Sequence, residues 1–138
     1  MVFGTGIDIV ETKRIANTLE RFGERFLDRV YHAGEVEYAH TMKKPNLHLA
    51  ARFAAKEAIS KAFGTGIGQQ LGWKDMEICR RESGEPYVVM HGKGIELMKS
   101  RGVTAIHVSL SHADHYAAAC AVIEGNEPPS ANASQGQP

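Results

Sequence analysis

The chain has 138 residues, of which 43% are hydrophobic, and its 16 basic and 16 acidic side chains give a formal net charge of zero. This length predicts a single domain with a real core, because a chain of this size buries roughly two thirds of its unfolded surface. The balanced charge argues against a general binder of nucleic acid.

The two cysteines, Cys79 and Cys120, are far apart and match no metal or redox spacing. Two reduced thiols are typical of a cytoplasmic protein. The sequence contains no signal-peptide pattern and no apolar run long enough to span a membrane. We therefore expect a cytoplasmic protein without a membrane partner.

The predicted elements alternate irregularly between strands and helices, which favours an α+β fold over a doubly wound sheet. Thr12 is the predicted N-cap of the first helix, Gly23 a candidate break within it, and Gly64 the C-cap of the long helix. In chain order we predict a strand over 2–10, a helical region over 11–30, helices over 35–42 and 45–63, a hairpin over 74–91, a helix over 92–101, and strands over 104–112 and 116–124.

The C-terminal segment 125–138 reads GNEPPSANASQGQP and is rich in Pro, Gly, Ser, Asn and Gln. Such a composition cannot bury enough apolar surface to offset the entropy lost on ordering. The sequence therefore predicts a folded domain over 1–124 and a disordered tail over 125–138.

The tripeptide GTG occurs twice, at 4–6 and 64–66. A nucleotide-binding glycine loop follows a strand and opens a helix, so that helix amides meet the phosphate. The first run lies within a predicted strand and the second follows a helix. We interpret both as turns or points of close backbone approach.

Asp8 stands in the middle of the apolar strand MVFGTGIDIV, where a buried carboxylate needs a partner. On the long helix, Glu57 and Lys61 share a stripe with the small residues Ala50 and Ala54. One interpretation is an exposed Glu57–Lys61 pair one turn apart. The other is that Glu57 joins Asp8 at a divalent cation, with Lys61 near a phosphate.

The segment HVSLSH places His107, Ser109 and Ser111 on one face of a strand, with His112 pointing the other way. His107 and His112 therefore make a poor zinc pair. No nucleophile-elbow sequence accompanies the serines. Taken alone, the segment predicts a polar strand face.

Three segments, GIDIV, RFAAKEAISKAFGTGIG and HVSLSH, together resemble the small bacterial holo-[acyl-carrier-protein] synthases of the 4'-phosphopantetheinyl transferase family. SGEPY resembles the hairpin turn of that family. The resemblance covers about residues 1–124 and implies antiparallel strands packed against a long central helix. It implies transfer of 4'-phosphopantetheine from coenzyme A to a serine of apo acyl carrier protein for fatty acid synthesis, with release of 3',5'-ADP.

The resemblance also assigns roles to individual residues. Asp8 and Glu57 would hold Mg²⁺, Lys61 would neutralise the leaving diphosphate, and His107 would contact phosphate or move a proton. Asp8, Glu57 and a metal-bound water remain alternatives as general base. The positions that match the nucleotide site are Arg52, Ser60, Lys61, Gly64, Pro86 and His107.

The family implies a homotrimer in which two subunits share each active site, and a carrier protein that docks along the first helix. Arg14, Arg21 and Arg25 lie within roughly 40° of one another on that helix, beside an apolar stripe. These arginines are the candidate docking residues, although a bend at Gly23 would separate Arg25 from the other two. A solvated face with local ion pairs is the alternative interpretation of these arginines.

The alternative function of the protein is a non-catalytic nucleotide- or carrier-binding module of the same fold.

Overall fold

The computed structural model describes residues 1–126 and confirms the α+β class. Its elements, in chain order, are β1 (Val2–Glu11), α1 (Thr12–Phe22), α2 (Glu24–Val30), α3 (Ala33–His40), α4 (Pro45–Phe63), a 3-10 turn (Trp73–Asp75), β2 (Met76–Arg80), β3 (Pro86–Met90), α5 (Lys93–Arg101), β4 (Val103–His112) and β5 (Tyr116–Gly125).

The strands form two antiparallel sheets. One sheet has three strands in the order β1-β5-β4, and the other is the β2-β3 hairpin. Helix α4 lies against the inner face of the three-stranded sheet and is the central element of the core. Ala54, Ala55 and Ala58 of α4 are fully buried, so their small side chains let the helix approach the sheet closely.

Gly4 and Gly6 allow this approach from the side of the sheet. A Cβ atom at Gly4 would overlap the carbonyl oxygen of Ala62, and one at Gly6 would overlap that of Ala58. The first GTG run is therefore a point of close backbone approach, as predicted. Because side chains alternate along a strand, Asp8 faces α4 as Gly4 and Gly6 do.

The helix ends agree with the sequence in two cases and differ in one. Gly23 separates α1 from α2 with a φ of 55°, and Gly64 ends α4 with a φ of 78°; both angles favour glycine. Thr12, however, is not the N-cap. It is the first helical residue of α1, and its hydroxyl donates a hydrogen bond to the carbonyl oxygen of Asp114 in the β4–β5 turn.

The final strand extends beyond the predicted domain boundary. Gly125 belongs to β5, and its amide donates a hydrogen bond to the carbonyl oxygen of Met1. A Cβ atom at Gly125 would overlap the carbonyl oxygen of Gly102 and the ring of Phe3. Residues 127–138, the rest of the predicted disordered tail, lie outside the described residues.

The sequence analysis did not anticipate a buried ion pair between Lys56 of α4 and Glu35 of α3. The two side chains are 2.9 Å apart and almost fully buried. The Lys56 ammonium also donates to the carbonyl oxygen of Val30, and Glu35 accepts from the amide of Ile78. The pair thus connects α2, α3, α4 and β2.

The outer face of the three-stranded sheet is open to solvent. Ile7 is 70% exposed and Ile9 is 65% exposed. On β4, the side chains of His107, Ser109 and Ser111 occupy this face, as predicted. Within residues 1–126, no helix is long and apolar enough to cross a membrane.

Candidate active site

Asp8 and Lys61 form an ion pair where β1 crosses α4. The Lys61 ammonium donates to the Asp8 carboxylate at 3.0 Å and to the carbonyl oxygen of Ile7 at 3.0 Å. Asp8 is largely shielded, whereas the Lys61 side chain is half exposed. The Lys61 ammonium therefore compensates the charge of the Asp8 carboxylate. Lys61 pairs with Asp8 rather than with Glu57, which lies one turn earlier on α4.

Glu57 completes a cluster with these two residues. Burial raises the pKa of the Glu57 carboxyl, and the nearby Asp8 charge raises it further, while Lys61 and Arg14 act in the opposite direction. Asp8 and Glu57 are thus close enough for the Asp8 charge to act on the Glu57 carboxyl, and their role as metal ligands stays a prediction. We call Asp8, Glu57 and Lys61 the carboxylate cluster.

Ser60 lies on the last turn of α4 next to Lys61 of this cluster, and Gly64 is the C-cap that follows the helix. Ser60 is fully buried, and its hydroxyl donates to the carbonyl oxygen of Glu57 at 2.7 Å. In this conformation the hydroxyl is engaged within the helix and does not face solvent. Gly64 is exposed, with no atom within 4 Å of a Cβ built on it, so a ligand could lie against its backbone.

Arg52 occupies a different face of α4 and lines a cavity of about 190 Å³ between α3, α4 and β2. It is only 2% exposed, and its buried Nε has no hydrogen-bond partner in the part of the chain that the structure describes. Its guanidinium carbon lies 4.5 Å from the centre of the Tyr38 ring. A buried arginine with an unused donor is suited to bind an anion.

Tyr38 and Arg80 line the same cavity as Arg52, which we call the arginine cavity. The sequence analysis missed both residues. The guanidinium carbon of Arg80 lies 5.4 Å from the Tyr38 ring centre, so Tyr38 contacts two arginines. Arg80 is exposed at the end of β2. Neither periodicity nor motif spacing distinguishes these residues from ordinary surface positions, because α3 and β2 meet only in the folded chain.

His107 and Pro86 lie apart from the carboxylate cluster. His107 is on the outer face of the sheet, where its Nε2 is 2.6 Å from the Glu124 carboxylate. The neighbouring Val108 points inward and packs against the core. Pro86 begins β3 and is half-buried beside the hairpin turn. One chain therefore does not bring His107 to the same side of the sheet as Asp8.

The predicted docking arginines are divided by the bend at Gly23. Arg14 and Arg21 are on α1, and their guanidinium carbons lie 5.6 Å from the Phe53 ring centre and 5.1 Å from that of Phe22. Arg25 is on α2. The two helices together border a cavity of about 280 Å³ lined by Thr18, Phe22, Arg25, Phe26 and Arg29. This cavity brings Arg25 together with apolar side chains of both helices, whereas Arg14 and Arg21 are not among its lining residues.

Comparisons with known proteins confirm the family resemblance of the sequence. The model of the 4'-phosphopantetheinyl transferase superfamily matches residues 4–121. A holo-[acyl-carrier-protein] synthase from Koribacter versatilis is 44% identical over 124 residues, which span 90% of this chain and 99% of the relative.

Solved structures are similar over the same region. A holo-[acyl-carrier-protein] synthase from Neisseria meningitidis superimposes with a TM-score of 0.84 at 32% identity, covering 90% of this chain and 99% of that one. The Helicobacter pylori enzyme, crystallised with coenzyme A, gives a TM-score of 0.78 at 31% identity, covering 87% and 99%. By its sequence and its fold, this chain belongs to the 4'-phosphopantetheinyl transferase superfamily.

Proposed function

We propose that this protein transfers 4'-phosphopantetheine from coenzyme A to a serine of apo acyl carrier protein and releases 3',5'-ADP. The observation that carries the proposal is the carboxylate cluster, which groups two acidic side chains and a lysine at the crossing of β1 and α4. The names of the relatives and the coenzyme A complex of a similar enzyme point to the same reaction.

The donor set of the cluster fits Mg²⁺, and we propose that Asp8 and Glu57 would hold this ion. Magnesium is commonly bound by one or two carboxylates together with substrate phosphates. The site also favours positive charge, since the Lys61 ammonium lies against Asp8 and the Ile7 carbonyl oxygen. When bound, Mg²⁺ would supply positive charge that neutralises the charge developing during transfer.

The lysine and the arginine supply the remaining positive charge for the nucleotide. The half-exposed Lys61 side chain can turn from Asp8 toward an oxygen of the diphosphate and stabilise the leaving group. The unpartnered Nε of Arg52 supports a role in binding a phosphate of the nucleotide. Gly64 and Pro86 would line the nucleotide, whereas Ser60 would act through its hydrogen bond to Glu57.

We further propose a homotrimer in which adjacent subunits share each active site. His107 and Asp8 lie on opposite faces of the sheet, so a site that needs both requires a second copy. The exposed Ile7 and Ile9 give the outer face an apolar surface that a neighbouring subunit could cover. His107 would then act in the site of a neighbouring subunit, where it contacts phosphate or moves a proton.

Mixing two inactive variants tests the shared site. We expect Asp8→Ala and His107→Ala each to lose most transfer activity on its own. After the two proteins are unfolded and refolded together, mixed trimers should regain activity, because some sites combine an intact Asp8 with an intact His107. Absence of any recovery in mixtures that light scattering identifies as trimers would contradict the shared site.

The overall reaction is tested by the mass of apo acyl carrier protein after incubation with the enzyme, coenzyme A and Mg²⁺. We expect the carrier to gain one phosphopantetheine group. The alternative, a non-catalytic binding module, predicts an unchanged mass together with binding of coenzyme A or carrier. An unchanged mass would therefore overturn the enzymatic proposal.

A further inference from the structure

A second group of metal-ligating side chains lies outside the carboxylate cluster, and one of its members, Glu77, also lines the arginine cavity. His32 immediately precedes α3, Glu77 is on β2, and His91 follows β3. Each offers one ligand atom, and these atoms all lie within 4.8 Å of one another. Within residues 1–126 this is the one group of three His, Cys, Asp or Glu side chains with such spacing.

The three side chains already interact. The Nε2 atom of His91 lies 2.8 Å from the Glu77 carboxylate. The rings of His32 and His91 have centroids 4.7 Å apart. One carboxylate and two imidazoles thus converge where the start of α3 meets the base of the β2-β3 hairpin.

Backbone hydrogen bonds hold both histidines in place. The His32 amide donates to the Glu35 carboxylate at 2.7 Å, and the His32 carbonyl oxygen accepts from the Glu35 amide. The His91 amide donates to the carbonyl oxygen of Asp75, and the His91 carbonyl oxygen accepts from the Gly94 amide. Glu77 is fixed by its pairing with Val89 in the hairpin. These bonds fix the backbone of all three residues, so binding of an ion would be accommodated by their side chains.

The chemistry of the set selects the metal. Two histidines and a glutamate form a recognised ligand set for Zn²⁺, whereas Mg²⁺ prefers oxygen ligands. The Nε2 atom of His32 lies 2.9 Å from the carbonyl oxygen of Lys74. Metal-binding histidines commonly donate their second ring nitrogen to a carbonyl oxygen in this way, which leaves the other nitrogen for the metal.

The distances are compatible with tetrahedral coordination. Ligand atoms around Zn²⁺ at the usual bond length stand roughly 3.3 Å apart, between the 2.8 Å of the Glu77–His91 pair and the 4.8 Å upper bound. The His91 and Glu77 side chains are partly exposed, at 41% and 25%, so an ion and a fourth ligand can enter from solvent.

We propose that His32, Glu77 and His91 bind one zinc ion. This site shares no residue with the carboxylate cluster, but Glu77 also lines the arginine cavity beside Arg52. Zinc binding is therefore measured without coenzyme A or carrier, so that its outcome does not depend on the proposed transfer reaction. A bound ion would connect the start of α3 to the hairpin. Without an ion, the same side chains would form only a hydrogen-bonded His–Glu pair with an adjacent ring.

Calorimetric titration of the full chain with Zn²⁺ in excess Mg²⁺ tests the proposal, because Mg²⁺ competes at the oxygen ligands of the carboxylate cluster. We expect one tight site per chain. His32→Ala and His91→Ala should each weaken binding at least about tenfold, the loss typical of removing even a supporting group. His115→Ala is the matched control, since it removes an exposed histidine outside the group, and it should bind as wild type does.

A measurement on the wild type keeps the test decisive if the variants fold poorly. In the NMR spectrum, Zn²⁺ should shift the ring signals of His32 and His91 while leaving those of His115 in place. The proposal is overturned if Zn²⁺ does not bind, or if the ring signals of His32 and His91 stay unchanged. It is also overturned if a variant with both His32→Ala and His91→Ala folds and binds zinc as tightly as wild type.

Discussion

The two carboxylates of the carboxylate cluster differ in how their charge is compensated. Asp8 receives a hydrogen bond from the Lys61 ammonium at 3.0 Å. Glu57 is partly buried beside Asp8, and both effects raise its pKa. A carboxyl whose folded pKa exceeds its unfolded value destabilises the fold once it ionises. We infer that Glu57 is kept for function at a cost in stability.

Glu57→Gln should therefore raise thermal stability while it removes transfer activity. In chelator at neutral pH, the variant should melt above wild type, because it lacks the unfavourable ionised carboxylate. The pKa of Glu57 in the folded protein lies above its ordinary value of 4.5. The stability of wild type should therefore fall relative to that of the variant as pH rises from 4.5 through the folded pKa. The measurement is the melting temperature of both proteins across pH.

Glu20→Gln is the matched control for this prediction, because it removes an exposed carboxylate from α1. It should leave the transfer activity and the melting temperature at neutral pH nearly unchanged. A Glu57→Gln protein that is less stable than wild type throughout would show that the ionised carboxylate stabilises the metal-free fold.

At the scale of elements, the buried Lys56–Glu35 pair connects the helical layer to the hairpin. The pKa of Lys56 is lowered, because the effect of burial outweighs the opposing effect of the Glu35 charge. Removing one partner leaves the other charge buried and unpaired, which costs about 3–5 kcal/mol. We expect Lys56→Met to lower the free energy of unfolding by that amount in urea titration.

Lys44→Met provides the comparison, because Lys44 pairs with Asp114 on the surface. A surface ion pair contributes about 0–1 kcal/mol. If the two variants lost equal stability, the buried pair would not be the connection that the structure indicates.

The contact between β1 and α4 sets the distance between the two proposed metal ligands. Gly6→Ala would force the strand away from the Ala58 carbonyl oxygen, at a cost of about 1–3 kcal/mol. Because Asp8 moves with the strand while Glu57 stays on the helix, transfer activity should fall as well. Unfolding in urea and the transfer rate measure the two effects.

Gly68→Ala is the control, since no atom lies within 4 Å of a Cβ at that position. It should leave stability and transfer nearly unchanged. Gly6→Ala with wild-type stability and rate would mean that strand and helix can separate without disturbing the site.

Patterns of adjacent residues predicted much of the fold. Helical spacing located α4, and its two ends agree with Pro45 and Gly64. Contacts between residues far apart in the sequence could not be predicted from local patterns. Lys56 meets Glu35 across 21 positions and Lys61 meets Asp8 across 53, so spacing within one helix suggested a Glu57–Lys61 pair instead.

At the scale of the whole molecule, a chain of zero net charge needs a local basic surface to attract an acidic carrier. Arg14 and Arg21 project from α1 beside Phe53 and Phe22. We propose this surface as the docking site. Arg21→Glu should raise KM for the carrier and leave KM for coenzyme A nearly unchanged. Arg14→Glu should also raise KM for the carrier, but it alters the charge beside Glu57 as well.

The salt dependence of carrier association provides an independent readout, because exposed charges are screened by added salt. The wild-type on-rate should fall as salt rises, and charge reversal should flatten that dependence. Lys99→Glu reverses an exposed charge on α5 and serves as the control. Unchanged carrier kinetics in the Arg14 and Arg21 variants would place docking elsewhere.

The most direct test of the account is the initial rate of phosphopantetheine transfer as Mg²⁺ is titrated into wild type and Asp8→Asn. We expect the wild-type rate to rise with Mg²⁺, to saturate, and to vanish in chelator. Asp8→Asn should fold normally and lose at least about 100-fold in rate, because the charge stabilisation that a metal supplies amounts to several kcal/mol. A wild-type or Asp8→Asn protein that transfers at full rate in chelator would contradict the assignment of Asp8 and Glu57 as the metal-dependent centre.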